Sequence, residues 1–428
     1  MILDFVVGSM QCFSVVENPE FKHLIQTLLP RRTVMTRKTL VLHLNNAFGA
    51  MKAAVTASLG EASTVCCTAD CWTACNSIFG GHNAEDADES ITDELHRTPD
   101  DIQLPKHHRC AAHTLNLVAT VDSEKAQEDP LYGSVSDSVF TKCKALWKQQ
   151  KQSVQAAEVI KEKLGRYLPV PNATRWNSTY VAMDFMNNVG KPMLDNVFDA
   201  LCLPRLKRDD VAFINEYCQA MSGVAKALDI LQGQDYMYMG TLLPTIQSLL
   251  RRLDTLPPMR YCTPLVTTLS AALRRRFSDQ LAEPSFVIAA AVHPRFKFSW
   301  LGEGERKRAI GLVKEEYEAA APVEGSPLSE GQDGEGADDD FFILQSTPGG
   351  SELDRWKKSP RGGLQALNDF PLIKDMFIKF NTGIPSSAPV ERLFSVGRDT
   401  FGLKRGKLTD ENFEKQLLLK CNKNFHGT

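Results

Sequence analysis

At 428 residues, 43% hydrophobic and 24% charged, the chain is long enough for two or three packed units, since one hydrophobic core rarely grows past about 250–300 residues. The opening MILDFVVGSMQ has no basic n-region and no run of eighteen apolar residues occurs anywhere, which argues against a signal peptide and a membrane span. The formal charge of −3 conceals two acidic stretches, 82–101 and 321–340, each with a net of −7, so the rest of the chain carries +11, which is compatible with a polyanionic partner and equally with ordinary surface charge.

In chain order, NPEFKHLIQTLLP is expected to be a helix that stops at Pro30, and a second helix is expected from a Thr36 cap to Gly60. Ser63 to Trp72, rich in Val, Cys and Thr, predicts one strand with Asp70 near its end. Eleven cysteines without a framework spacing, in a chain lacking an export signal, favour reduced thiols and an intracellular protein. Cys66, Cys67, Cys71 and Cys75 cluster, but Cys66 and Cys67 are adjacent and would face opposite sides of a strand, unlike a zinc knuckle. Residues 82–101 read as an acidic loop. From HHRCAAHTLNLVATV onward the pattern is helical for some two hundred residues. Phe213, Tyr217, Ala220, Val224, Leu228 and Leu231 form a single stripe on a helix opening at Asp209–Asp210. Pro244 predicts a kink in the next helix. Residues 321–340 are too poor in hydrophobes to pack and predict a long loop or disorder. Order returns with LNDFPLIKDMFIKFN, followed by two helices capped by Ser387 and Thr409.

Four patterns stand in order along the chain: TADCWT (68–73), RCAAHTLNL (109–117), ATRWNSTY (173–180) and PSSAPVERLFSVG (385–397). With LKRGKLTDENFEKQLLLKCNKN they resemble the hAT superfamily of DNA transposases and the host proteins domesticated from it. The resemblance implies a ribonuclease H-like core interrupted by a large all-helical insertion, with C-terminal dimerisation helices. It also implies two-metal phosphodiester chemistry on a D, D, E triad, with Mg²⁺ as the hard, water-retaining cation.

Carried onto this sequence, the resemblance matches Asp70 to the first aspartate and Glu391 to the glutamate. The bland alternatives are an aspartate that starts a turn, and a first-turn glutamate that complements the helix dipole or pairs with Arg392. Trp176 matches a tryptophan that stacks on an unpaired base, with Arg175 beside it for phosphate, or else is buried between helices. Lys142, Lys144, Lys148 and Lys151 crowd one helix, and Lys404, Arg405 and Lys407 one basic turn. Both groups are candidate phosphate contacts or simply solvated charge. Cys110 and His113 share a helix face and read as packing and hydrogen bonding, alongside Arg392 and Phe394 as motif residues. Phe413, Leu417 and Cys421 step by four, with Leu418 widening the stripe, and serve dimerisation or internal packing.

Two family features are missing. No BED-type zinc finger precedes the first motif, and no strand-borne aspartate stands between TADCWT and RCAAH, where only residues 74–108 intervene. The expectation is therefore a mainly α protein with a truncated ribonuclease H-like α/β remnant. Its segments are a helical N-terminus (1–60), a first-strand remnant (61–81), an acidic loop (82–104), an all-helical insertion (105–320), an acidic linker (321–345) and a dimerisation region (346–428). The function expected is that of a degenerate, nuclear, hAT-like protein, forming a homodimer or pairing with a related hAT protein, binding DNA weakly and salt-dependently without cutting it. No membrane association and no cofactor are expected, with Mg²⁺ only if an intact metal site exists. The alternatives are an active or trans-complementing transposase whose second aspartate is absent from this isoform, and an interaction module without DNA.

Overall fold

The computed structural model describes residues 1–68, 72–74, 77–79, 108–172, 177–233, 237–320, 351–393 and 409–425. Among these the protein is mainly helical. The chain opens with α1 (Ile2–Gly8), α2 (Pro19–Leu28) and α3 (Arg37–Glu61). Asn18 caps α2, its Oδ1 accepting from the Phe21 amide at 2.9 Å, and Thr36 caps α3, accepting from the Thr39 amide at 3.2 Å. Gly60 does not terminate α3, which runs one residue further to Glu61 and ends at an extended Ala62.

The strand expected over Ser63 to Trp72 does not form in its described part. Residues 63–68 have no strand structure and are mostly exposed, Val65 by 54%. An extended segment with no neighbour leaves its ladder groups to water and gains no packing. Strand structure begins at β1 (Trp72–Ala74), which pairs antiparallel with β2 (Ser77–Phe79), Trp72 opposite Phe79 and Ala74 opposite Ser77.

A long helical series follows: α4 (Ala111–Thr120), α5 (Pro130–Gln152), α6 (Val154–Leu164), α7 (Asn177–Val189), α8 (Lys191–Ala200) and α9 (Arg208–Gln232). Gly165 ends α6 at φ +74, the left-handed backbone that a helix terminus most easily takes with glycine. Then come α10 (Leu242–Asp254), α11 (Thr263–Arg276), α12 (Ser278–Ala282), α13 (Pro284–Ala291) and α14 (Glu303–Ala320), and after the acidic stretch α15 (Glu352–Lys358) and α16 (Pro371–Asn381). Helix α17 (Asp410–Cys421) lies near the C-terminus, with Thr409 Oγ1 accepting from the Asn412 amide at 3.4 Å.

The fold divides into a terminal unit, Met1–Pro105 with Ser387–Thr428, and a central unit, Lys106–Ser386. The segment 352–386, grouped from sequence with the C-terminal region, thus belongs to the central unit. There α9 is the axis, with α4, α5, α7 and α10 packed around it. Every member of the predicted stripe, from Phe213 to Leu231, is buried. Pro244 produces no kink. It sits in the first turn of α10, after a 3-10 turn over Met239–Thr241, where its missing N–H has no intrahelical acceptor to disappoint.

Several polar groups in this unit are locked by named partners. Glu216 accepts from the backbone amides of Arg260, Tyr261 and Cys262 at 3.2, 2.7 and 2.9 Å, so a carboxylate sits at the N-terminus of α11. Asn381, 3% exposed, accepts from Gly240 N–H at 2.8 Å and donates to the Ala289 carbonyl at 3.0 Å. A Cβ at Gly240 would lie 2.3 Å from that same carbonyl oxygen, so only glycine permits the approach. A second core surrounds Trp356. Lys297, held at φ +49, donates to the carbonyls of Trp356 and Ser359 at 3.0 and 2.8 Å and lies 4.0 Å from the Trp356 ring.

In the terminal unit a smaller core gathers Val6, Phe13, Val16, Leu40, Leu44, Met51 and Leu419. Gln416 is fully buried among them, its Nε2 donating to the carbonyls of Val6 at 2.9 Å and Gln11 at 3.0 Å.

Candidate functional site

Helix α5 carries the most distinctive surface of the central unit. Asp129 caps it, accepting from the Tyr132 amide at 2.9 Å, and Pro130 occupies the first turn. Its buried residues, Tyr132, Ser136, Val139, Cys143 and Leu146, recur at alternating steps of four and three and seat the helix against the core. Lys144, Lys148 and Lys151 stand at i, i+4 and i+7, therefore on one face, and all three are exposed. None has a carboxylate within 4 Å among the described residues.

Beside these lysines opens a cavity of about 570 Å³. Its floor is aromatic: Tyr132, Phe140, Trp147 and Tyr217 all line it. Phe140 meets Tyr217 edge-on with centroids 5.6 Å apart. Burial raises the phenols of Tyr132 and Tyr217 above the ordinary tyrosine range, so both stay neutral. Trp147 is 5% exposed and its indole N–H has no acceptor among the described residues. Ser123 and Glu124 also line it, in a 3-10 turn fixed by Asp122. Arg275 Nη2 donates to Asp122 at 2.6 Å, and Arg276 donates through Nε and Nη2. Although burial pushes the Asp122 carboxyl upward, the hydrogen bonds and charges of Arg276 and Arg275 hold it below the usual carboxylate value.

Lys142 is not part of this face. Its ammonium pairs with Asp210, 3% exposed, which also accepts from Ser138 Oγ at 3.2 Å and from the Lys207 amide at 2.7 Å. The geometry spends that cation on fixing α5 to α9, where a phosphate would have to displace a buried carboxylate.

The remaining candidates are dispersed. Cys110 caps α4: its sulfur accepts from the His113 amide at 3.4 Å and its thiol donates to Ser386 Oγ at 3.8 Å, while the His113 side chain is exposed. Glu391 is exposed in the helical residues after Ser387, whose hydroxyl donates to Glu391 Oε1 at 3.1 Å, and Arg392 beside it is half-buried. On α17, Phe413, Leu417 and Leu418 are half-buried and Cys421 is exposed, whereas the face turned inward carries Gln416 and Leu419. Asp70, Arg175, Trp176, Phe394, Lys404, Arg405 and Lys407, and the acidic stretches 82–101 and 321–340, lie outside the described residues. Among the described residues no three His, Cys, Asp or Glu side chains converge as metal ligands. Likewise no helix among them is long and apolar enough to cross a membrane.

The aromatic cavity itself was not anticipated from sequence, although Phe140, Lys144, Trp147 and Lys151 share helical spacing and carry the signal. No protein-family model matches this chain, and comparison with curated proteins finds none similar to it.

Proposed function

We propose that this chain is a degenerate hAT-transposase-like protein that holds nucleic acid by its phosphate backbone and does not cut it. The observation that carries the reading is the row of Lys144, Lys148 and Lys151, three cations on one helical face with no carboxylate partner among the described residues. Helix α5 is basic as a whole, with four lysines against the single acid Asp137. Ammonium groups so placed neutralise phosphates without reading sequence. The absence of cleavage rests on the sequence, in which no strand-borne aspartate stands between TADCWT and RCAAH. The five motifs in family order support the transposase ancestry, and with it a ribonuclease H-like remnant around β1 and β2. They likewise support a nuclear location and pairing with a second copy or a related hAT protein through Phe413, Leu417, Leu418 and Cys421.

The test is a titration of a mixed-sequence duplex at several salt concentrations. Three phosphate contacts give a log–log salt slope of about −2.7. Lys144→Gln, Lys148→Gln and Lys151→Gln together flatten that slope. No binding at low salt, or binding indifferent to salt, defeats the reading.

A further inference from the structure

The cavity against α5 has features that backbone binding does not use. A groove for phosphates alone needs only the lysine row, whereas here the row borders an open cleft of about 570 Å³ lined by four aromatic residues. That volume lies within the range of about 300–1,000 Å³ typical of small-molecule sites. The floor offers flat, neutral surfaces on which a planar heterocycle can stack. Glu124, also in the lining, is an exposed acceptor suited to an exocyclic amine. Lys144 to Lys151 spans seven residues of helix, about 10.5 Å, a row longer than one carboxylate or one phosphate engages. A hydrocarbon ligand would strand the polar groups of Glu124 and Thr179 on the cavity wall.

We propose that this cavity binds a free nucleotide, its base on the floor formed by Phe140, Trp147 and Tyr217 and its diphosphate on Lys144, Lys148 and Lys151. The inference goes beyond the backbone-binding reading and does not depend on transposase ancestry. Because the same lysines serve both ligands, nucleotide and nucleic acid compete.

Calorimetric titration of the full chain with adenosine diphosphate tests it, with adenosine and inorganic phosphate as separate probes. The diphosphate is expected to bind at least tenfold more tightly than either fragment. Lys144→Gln with Lys148→Gln, both on an exposed face, is expected to raise its Kd at least tenfold with an unchanged helical circular dichroism spectrum. Thr120→Trp, at the exposed rim, fills the mouth and is expected to abolish binding while leaving all three lysines in place. Absence of binding at millimolar diphosphate overturns the proposal, as does binding indifferent to both variants or inorganic phosphate binding as tightly as the diphosphate. A duplex titration of the same sample separates the two readings. Duplex binding without nucleotide binding defeats the cavity assignment alone, and nucleotide binding without duplex binding defeats backbone recognition alone.

Discussion

Two helices of equal length, 25 residues each, sit in different units and live under different constraints. Helix α9 in the central unit buries thirteen residues, whereas α3 in the terminal unit buries Leu40, Leu44 and Met51 only. Helix α2 beside it buries none, and Leu24 and Leu28 are 53% and 66% exposed. Since helices in proteins are stabilised mainly by packing an apolar face, α9 is defined by its neighbours and α3 largely by its own propensity and its Thr36 cap. The contrast teaches that a long helical pattern is not by itself a sign of a stable unit.

The most severe way to break the contrast is Phe213→Ala, which empties a fully buried site at the axis of the central unit. A loss of about 3–5 kcal/mol is expected, read as a large drop in the denaturant midpoint of the central unit's transition. Terminal-unit unfolding should be unaffected, and an equal shift of both transitions would show that the units do not melt independently.

Acid should separate the units next. His293, 5% exposed among Tyr238, Phe296 and Phe377, accepts from the Arg295 amide through Nδ1. Burial, with the Arg295 charge adding to it, pulls its pKa down to about 4. The unfolded chain takes up that proton near the ordinary value of about 6.5, so stability is complete above that pH and is lost as pH falls toward about 4. The expected loss in the central unit is up to about 3 kcal/mol, measured by urea unfolding at pH 7 and pH 4.5. His293→Phe should remove that slope.

The smallest expected effect belongs to the terminal unit. Gln416→Ala strips the Val6 and Gln11 carbonyls of a buried donor and should cost about 1–3 kcal/mol. Hydrogen exchange should accelerate first in α17 and α1, and uniform acceleration across α9 would contradict the separation.

Much of the central unit was legible in the sequence, because the stripe from Phe213 to Leu231 repeats over about five turns with one period and only one face can be buried. Caps at Thr36 and Thr409 were legible for a local reason, a hydroxyl three residues before an amide that needs it. Pro244 misled because a kink depends on where the helix begins, and the 3-10 turn that sets its start carries no strong local signal. Lys142 misleads because a run of lysines in sequence is not one patch on a helix. At 100° per residue Lys142 and Lys144 point nearly apart, and only a distant residue, Asp210, shows what Lys142 is for. The inward role of Gln416 ran against polarity altogether: its amide is buried to satisfy carbonyls some four hundred residues away in sequence, which no periodicity can reveal. Glu391 and Cys110 are motif positions whose local geometry is that of helix starts, and Asp70 and Trp176 themselves lie outside the described residues.

The pairing of Asn381 with Gly240 and Ala289 also sets a timetable. On a ribosome moving at about 5–20 residues per second, Asn381 is made some 5–20 s after Ala289, which precedes it by 92 residues. For that interval the Ala289 carbonyl and the Gly240 amide have no native partner, however complete α9 and its neighbours already are. The helical bundle can therefore assemble during synthesis, but its last buried hydrogen bonds wait for the chain beyond the acidic stretch, and a ribosome pause before residue 381 would hold the protein in a nearly finished, still hydrated state.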